Sequence, residues 1–85
     1  GYAAWIDYGM FLGNVMTAAR GHGLHTCPQF AWTQFHAIIA DELALPPEQK
    51  GLVGMALGVE DTTAIENSLR TERAPLSDWV SFTDE

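Results

Sequence analysis

Eighty-five residues that are 47% hydrophobic and 18% charged describe a globular chain of at most one domain, too apolar to be a disordered segment. Eleven acidic residues against four basic ones give a formal charge of −7, which argues against a nucleic-acid binder, because phosphate contacts need clustered Lys and Arg. The single cysteine, Cys27, precludes an internal disulfide and fits a reducing compartment, so a cytoplasmic location is expected. No basic, cleavable leader pattern opens the chain, which starts without Met inside a helical pattern, as a partial sequence would. Three Trp, four Phe and two Tyr on so short a chain imply that apolar surface meets a second chain or a missing segment.

The pattern predicts a first helix over Tyr2 to Arg20. Trp5, Ile6, Tyr8, Met10, Phe11, Leu12, Val15, Met16, Ala18 and Ala19 are apolar, and the polar exceptions Asp7, Asn14 and Thr17 fall on one narrow stripe. A helix that is hydrophobic nearly all round is covered on most sides, so a partner subunit or further layers are expected against it. A membrane span is disfavoured, because a mid-span Asp costs roughly 2.5–3.5 kcal/mol on insertion scales and Asp7 lies inside the stretch. Gly9 and Gly13 form a G-x-x-x-G that lets another backbone approach, and a dimer core is preferred to packing within the chain. Gly21 and Gly23 end the helix.

Thr26-Cys27-Pro28-Gln29 matches a capping box and predicts a second helix running to about Leu43, with Ala31, Phe35, Ile38, Ile39 and Glu42 on one face. Pro46 and Pro47 break it. The continuous apolar run Leu52 to Val59 reads as a buried central strand, in which Gly54 and Gly58 leave room for a close neighbour. Glu60 to Asn67 is acidic and irregular, Arg70 to Pro75 is a basic turn, and Asp78 to Thr83 alternates as a terminal strand with Trp79 and Phe82 as its large residues. No repeat or linker divides the chain, so residues 1–85 are expected to belong to a single domain.

Few residues carry chemistry. His22, His25, Cys27 and His36 are of types that zinc accepts, but their spacing lacks a second ligand pair, and the bland reading as loop and surface residues is preferred. Cys27 as a nucleophile lacks a visible activating base. Arg70 and Arg73 are the best ligand candidates, since a guanidinium holds phosphate in a bidentate way. The alternative for them is a solvated turn paired with Glu66 and Glu72.

The helix from Trp5 to Arg20 resembles the D-x-G-x-x-x-x-N-x-x-x-A-A helix of the nitroreductase family, through Asp7, Gly9, Asn14, Ala18 and Ala19. The resemblance continues through Gly23-Leu24-His25-Thr26, similar to the family's G-L-x-T/S segment, and through Gly54 to Gly58, which looks like its penultimate strand ending in L-G. Glu66 to Leu76, with R-x-P at its core, resembles the basic C-terminal turn. Each motif alone is weak, and the ordered set is more specific; the nearest subgroup is the nitrobenzoate-reductase-like branch.

The resemblance implies the C-terminal part of an α+β nitroreductase fold, with a central sheet flanked by helices. It also implies a homodimer with FMN at the subunit interface, the first helix at the dimer core, and the stretch from Trp79 to Phe82 as an exchanged strand. By position, Pro28, Gln29, Phe30 and Ala31 would run past the flavin ring, with the Phe30 and Ala31 amides near N5. Phe30 stands where the family often has an acidic residue. Arg73, supported by Arg70, would take the FMN phosphate. The implied activity is two-step hydride transfer from NAD(P)H through FMN to a nitroaromatic or quinone, with no catalytic acid or base, no metal, no nucleic acid and no membrane. The family's N-terminal Arg-x-Ser-x-Arg segment is absent, so the chain alone is expected to bind FMN poorly or not at all. Two alternatives stay open: a non-catalytic helical dimerisation module, and a flavin dehalogenase or dehydrogenase of the same superfamily, since fold does not fix substrate.

Overall fold

The computed structural model describes residues 1–84. Helix α1 spans Tyr2–Gly21, close to its predicted bounds. Its end is set by Gly23, whose φ of 77° lets the chain turn into the left-handed region. Leu24 N–H then donates to the Ala19 carbonyl at 2.9 Å and Gly23 N–H to that of Arg20 at 3.0 Å, a Schellman closure. No helix is long and apolar enough to cross a membrane among the described residues.

The capping-box reading of Thr26 to Gln29 is overturned. These residues lie in strand β1, His25–Gln29, paired antiparallel with β2, Gly54–Gly58, in the register His25↔Gly58 through Gln29↔Gly54. Ladder pairing over five positions outcompetes a local cap. The predicted second helix survives only as its C-terminal half. Phe30–Phe35 is a 310 helix and α2 spans His36–Glu42. The strand predicted at Leu52 to Val59 is β2, shorter than expected and half-buried to exposed along its length. The expected terminal strand at Asp78 to Thr83 is absent: a 310 helix, Leu76–Asp78, is followed by irregular chain. A strand needs a neighbour for its N–H and C=O groups, and this stretch pairs with neither open edge of the two-stranded β1–β2 sheet. A further 310 helix, Ile65–Ser68, lies between β2 and the arginine turn.

The molecule is α+β and extended. Its radius of gyration is 17.5 Å, against about 12 Å for a compact domain of this length. Ala19 is the only buried hydrophobic residue among those described. Trp5, Ile6, Met10 and Phe11 on α1 are each more than half exposed, and, beyond the helix's own neighbouring backbone, nothing among the described residues lies within 4 Å of where a β-carbon on Gly9 or Gly13 would sit. The chain does not wrap its own longest helix.

Helix α2 closes by the same device as α1, with Leu45 N–H on the Ala40 carbonyl at 2.9 Å and Ala44 N–H on that of Asp41 at 3.2 Å. Here the left-handed residue is Ala44, at φ 53°, a conformation that costs an L-residue about 1 kcal/mol or more. Ala44→Gly is therefore expected to raise the unfolding midpoint, with a gain of up to about 1 kcal/mol in chemical denaturation. An unchanged or lowered midpoint would show that glycine's greater unfolded-state freedom cancels the relief.

Candidate functional site

The segment that follows β1 is fixed to the segment that leads into β2 by side chains. Trp32 Nε1–H donates to Gln29 Oε1 at 3.0 Å. The Thr33 hydroxyl donates to the Leu52 carbonyl, and Gly51 N–H donates to His36 Nδ1 at 2.9 Å. The Trp32 indole lies directly on Gly54: a β-carbon there would sit 2.8 Å from Nε1 and 3.1 Å from Cγ. Gly54 is therefore a glycine because an aromatic ring occupies its side-chain space. Local side-chain bonds of this kind compete with regular helical hydrogen bonding, which accounts for the 310 geometry at residues 30–35.

Phe30 and Ala31 open that 310 helix, where N–H groups have no acceptor within the turn. No loop carbonyl or side chain among the described residues takes either amide. Phe30 is 68% exposed, so this edge of the chain presents two donors beside an open aromatic ring.

At the other end of the ladder, three elements are tied by His25. Its Nδ1 accepts the Glu60 N–H at 3.1 Å, which places the proton of the neutral ring on Nε2, 3.3 Å from Glu60 Oε2. Arg20 Nη1 donates to the Leu24 carbonyl at 3.3 Å and packs beside Nε2 without a hydrogen bond to it, since both nitrogens are donors in this tautomer. The end of α1, the start of β1 and the residue beyond β2 thus meet at one imidazole. His25 and His36 are engaged in structural hydrogen bonds, and no group of three or more His, Cys, Asp or Glu that could hold a metal occurs among the described residues. Cys27 is exposed.

A cleft of about 400 Å³ opens beside this tie, lined in part by Cys27, Leu57, Glu60, Asp61 and Asn67. The Asp61 carboxyl is held below its ordinary value by the Thr63 hydroxyl, at 2.6 Å, and then by the Thr63 N–H, at 2.9 Å. A second cleft, of about 380 Å³, is apolar and lies under Trp32, between Ile39, Leu43, Leu45 and Val53.

Arg70 and Arg73 lie on the exposed tail beyond Ile65–Ser68. Arg70 Nη1 donates to the carbonyls of Asn67, at 2.9 Å, and Leu69, at 3.0 Å. Arg73 Nη1 donates to the Thr71 hydroxyl and to the Glu72 carbonyl, the latter at 3.1 Å. The one contact of a basic side chain with a carboxylate within 4 Å among the described residues joins His25 and Glu60 and involves neither arginine, so the pairing of these arginines with Glu66 and Glu72, the alternative raised by the sequence, does not form. Each guanidinium keeps donors free and carries an uncompensated charge on a chain that is otherwise acidic.

The six sequence-derived candidates thus form two groups: Pro28, Gln29, Phe30 and Ala31 at the β1 exit, and Arg70 and Arg73 on the tail. None of the six lines either cleft. One copy of the chain does not gather them into one pocket. Trp32, Thr33 and His36, which fix the first group in place, were not singled out by the sequence for this role. The i,i+3 spacing of Gln29 and Trp32 and the glycine at position 54 were the available signals.

A long exposed apolar helix, a small antiparallel sheet and two separated groups of ligand-type donors make up this α+β chain. The nitroreductase family model matches residues 2–59, and the chain belongs to the nitroreductase family. It is 40% identical over 84 residues to a chloronitrobenzene nitroreductase of Comamonas testosteroni, covering 99% of this chain and 37% of that protein. It is 42% identical over 79 residues to a 4-nitrobenzoate reductase of Pseudomonas putida, covering 93% of this chain and 35% of that protein. The solved structure of the FMN- and NADPH-dependent nitroreductase NfnB from sphigopyxis sp. strain HMH superposes with a TM-score of 0.89 at 33% identity, over 100% of this chain and 38% of that one. The chain therefore spans a little over a third of the length of the relatives it matches.

Proposed function

We propose that this chain is the C-terminal part of a single-domain, FMN-dependent oxidoreductase subunit that reduces nitroaromatic compounds or quinones with NAD(P)H. The observation that carries this reading is that proteins named as reductases of nitroaromatics match along 93–99% of the chain, the arginine turn included.

The free donors fit the group. Two unsatisfied amides beside an exposed aromatic edge suit the polar rim of a flavin ring, and two guanidinia without carboxylate partners suit its phosphate. In this reading Phe30 and Ala31 N–H groups face the reactive edge at N5, and the small Ala31 side chain lets the ring come close. Pro28 and Gln29 line the approach, and Arg73, with Arg70 beside it, binds the phosphate. The chemistry supplied by bound FMN is acceptance of a hydride from NAD(P)H and its delivery to the substrate. The chain's own residues orient and polarise; none is assigned as an acid or base.

The separation of the two donor groups supports a homodimer in which each flavin is held by more than one chain. The open Gly9/Gly13 face of α1 supports its place at the dimer core. The same open face would suit a pure dimerisation module, which would have no use for the arginine turn. A dehalogenase or dehydrogenase would share the cofactor groups and differ in substrate.

The isolated 85-residue chain is expected to purify colourless and to self-associate, since its apolar helix is uncovered. Absorbance at flavin wavelengths and sedimentation over a concentration series check both points. A yellow, stoichiometrically flavinylated monomer would refute the proposal that further subunit sequence and a second copy complete the site.

A further inference from the structure

We infer that the hydrogen bond between Gln29 and Trp32 is a positioning clasp for the two amides that it encloses. The inference rests on the reading of Phe30 and Ala31 as the flavin-facing donors. Phe30 and Ala31 are the only residues between the two ends of the bond, Trp32 Nε1–H to Gln29 Oε1 at 3.0 Å. The bond closes the chain into a short loop, and a loop closed at both ends has few orientations left for the two peptide planes inside it.

Both ends of the clasp are held from outside. Gln29 is paired with Gly54 in the ladder. The Trp32 indole lies against that same Gly54, where no side chain could fit. The bare backbone of Gly54 therefore acts as the floor on which the clasp is set, and Thr33, through the Leu52 carbonyl, stops the 310 helix from rotating away. Trp32 is 48% exposed and Gln29 is on the surface. The pair ranks as positioning residues: Gln29 lines the approach to the ring, and its positioning role is exerted through Trp32 on the two amides. Their role is to hold donors in place before the cofactor binds, which spares the cost of ordering them afterwards.

The test uses the intact subunit with FMN. Trp32→Phe keeps a ring on Gly54 and removes the N–H; Gln29→Leu removes the acceptor; Gln29→Glu keeps an acceptor oxygen. Stopped-flow reduction of the bound flavin by NAD(P)H and the visible circular dichroism of the oxidised flavin are read beside flavin content and unfolding midpoint. Trp32→Phe and Gln29→Leu are expected to remain yellow and folded, with the reduction rate constant lowered about tenfold and the visible dichroism changed, whereas Gln29→Glu, which keeps an acceptor for the indole N–H, recovers part of the rate and the dichroism that Gln29→Leu loses. Yellow variants with the parent's rate constant and dichroism would overturn the inference alone. A lowered rate constant that Gln29→Glu shares with Gln29→Leu would also overturn it. A parent subunit that takes up no FMN would overturn the flavoprotein reading itself, which the parent's flavin content reports separately from the variants.

Discussion

Arg73→Ala in the intact subunit is expected to weaken FMN binding by about 10- to 100-fold, the factor that follows from losing a charge-assisted hydrogen-bond partner of roughly 1.5–3 kcal/mol. The guanidinium is positioned for such a role by what it lacks. It donates to Thr71 and to the Glu72 carbonyl, which fix its direction, yet no carboxylate among the described residues neutralises it. Arg70 is anchored on two backbone carbonyls of its own and supports the same charge. Arg70→Ala is accordingly expected to cost less than Arg73→Ala. Arg73→Lys should recover part of the loss, because an ammonium keeps the charge and gives up the two-pronged geometry. Titration of the apo subunit with FMN, followed by flavin fluorescence, measures all three. An Arg73→Ala subunit with undiminished affinity would place the phosphate elsewhere.

The elements that were legible in the sequence are those fixed by their own residues. Helix α1 is apolar at almost every position outside one narrow polar stripe and is followed by a glycine whose left-handed turn ends it. Strand β2 is a short apolar run between breakers. The misreadings share a cause, which is that a distant segment decided the local structure. Thr26 and Gln29 satisfy a helix-cap pattern, but β2 claims their backbone for a ladder, in which Pro28 stands opposite Met55 without an N–H to give. The face drawn through Ala31 and Phe35 assumed a helical period from residue 30 onward. The Trp32 ring on Gly54 and the Thr33 bond to Leu52 hold that stretch in 310 form instead, and α2 begins only at His36. The alternation at Asp78 to Thr83 is real in the sequence, but a strand is a property of a pair, and this stretch pairs with neither open edge of the sheet. The candidate site residues followed the same rule. The arginines could be singled out from their charge alone, whereas the clasp that sets the Phe30 and Ala31 amides depends on a contact between positions 32 and 54.

That contact predicts the largest effect of a single methyl group in the molecule. Gly54→Ala in the intact subunit is expected to cost about 1–3 kcal/mol in chemical unfolding, the range for overpacking a site that cannot give. The new β-carbon would lie within 3.1 Å of three indole atoms. The ring cannot slide aside without releasing Gln29 Oε1, and the backbone of Gly54 cannot retreat without pulling on its ladder partner Gln29. Both escapes disturb the same residue. Gly58→Ala is the internal control: it lies in the same strand with nothing within 4 Å of its added carbon, and is expected to stay within about 0.5 kcal/mol of the parent. Trp32→Leu separates the collision from any intrinsic cost of alanine in the strand. In a Trp32→Leu background the penalty of Gly54→Ala should shrink to that of the control, a coupling that a double-mutant cycle reads directly. A Gly54→Ala subunit as stable as the parent would mean that the indole has an alternative seat, and the apolar cleft between Ile39, Leu43, Leu45 and Val53 is the nearest place for it. In that event the Gln29 bond would be lost with the move, and the variant would fold normally while presenting the Phe30 and Ala31 amides without their clasp.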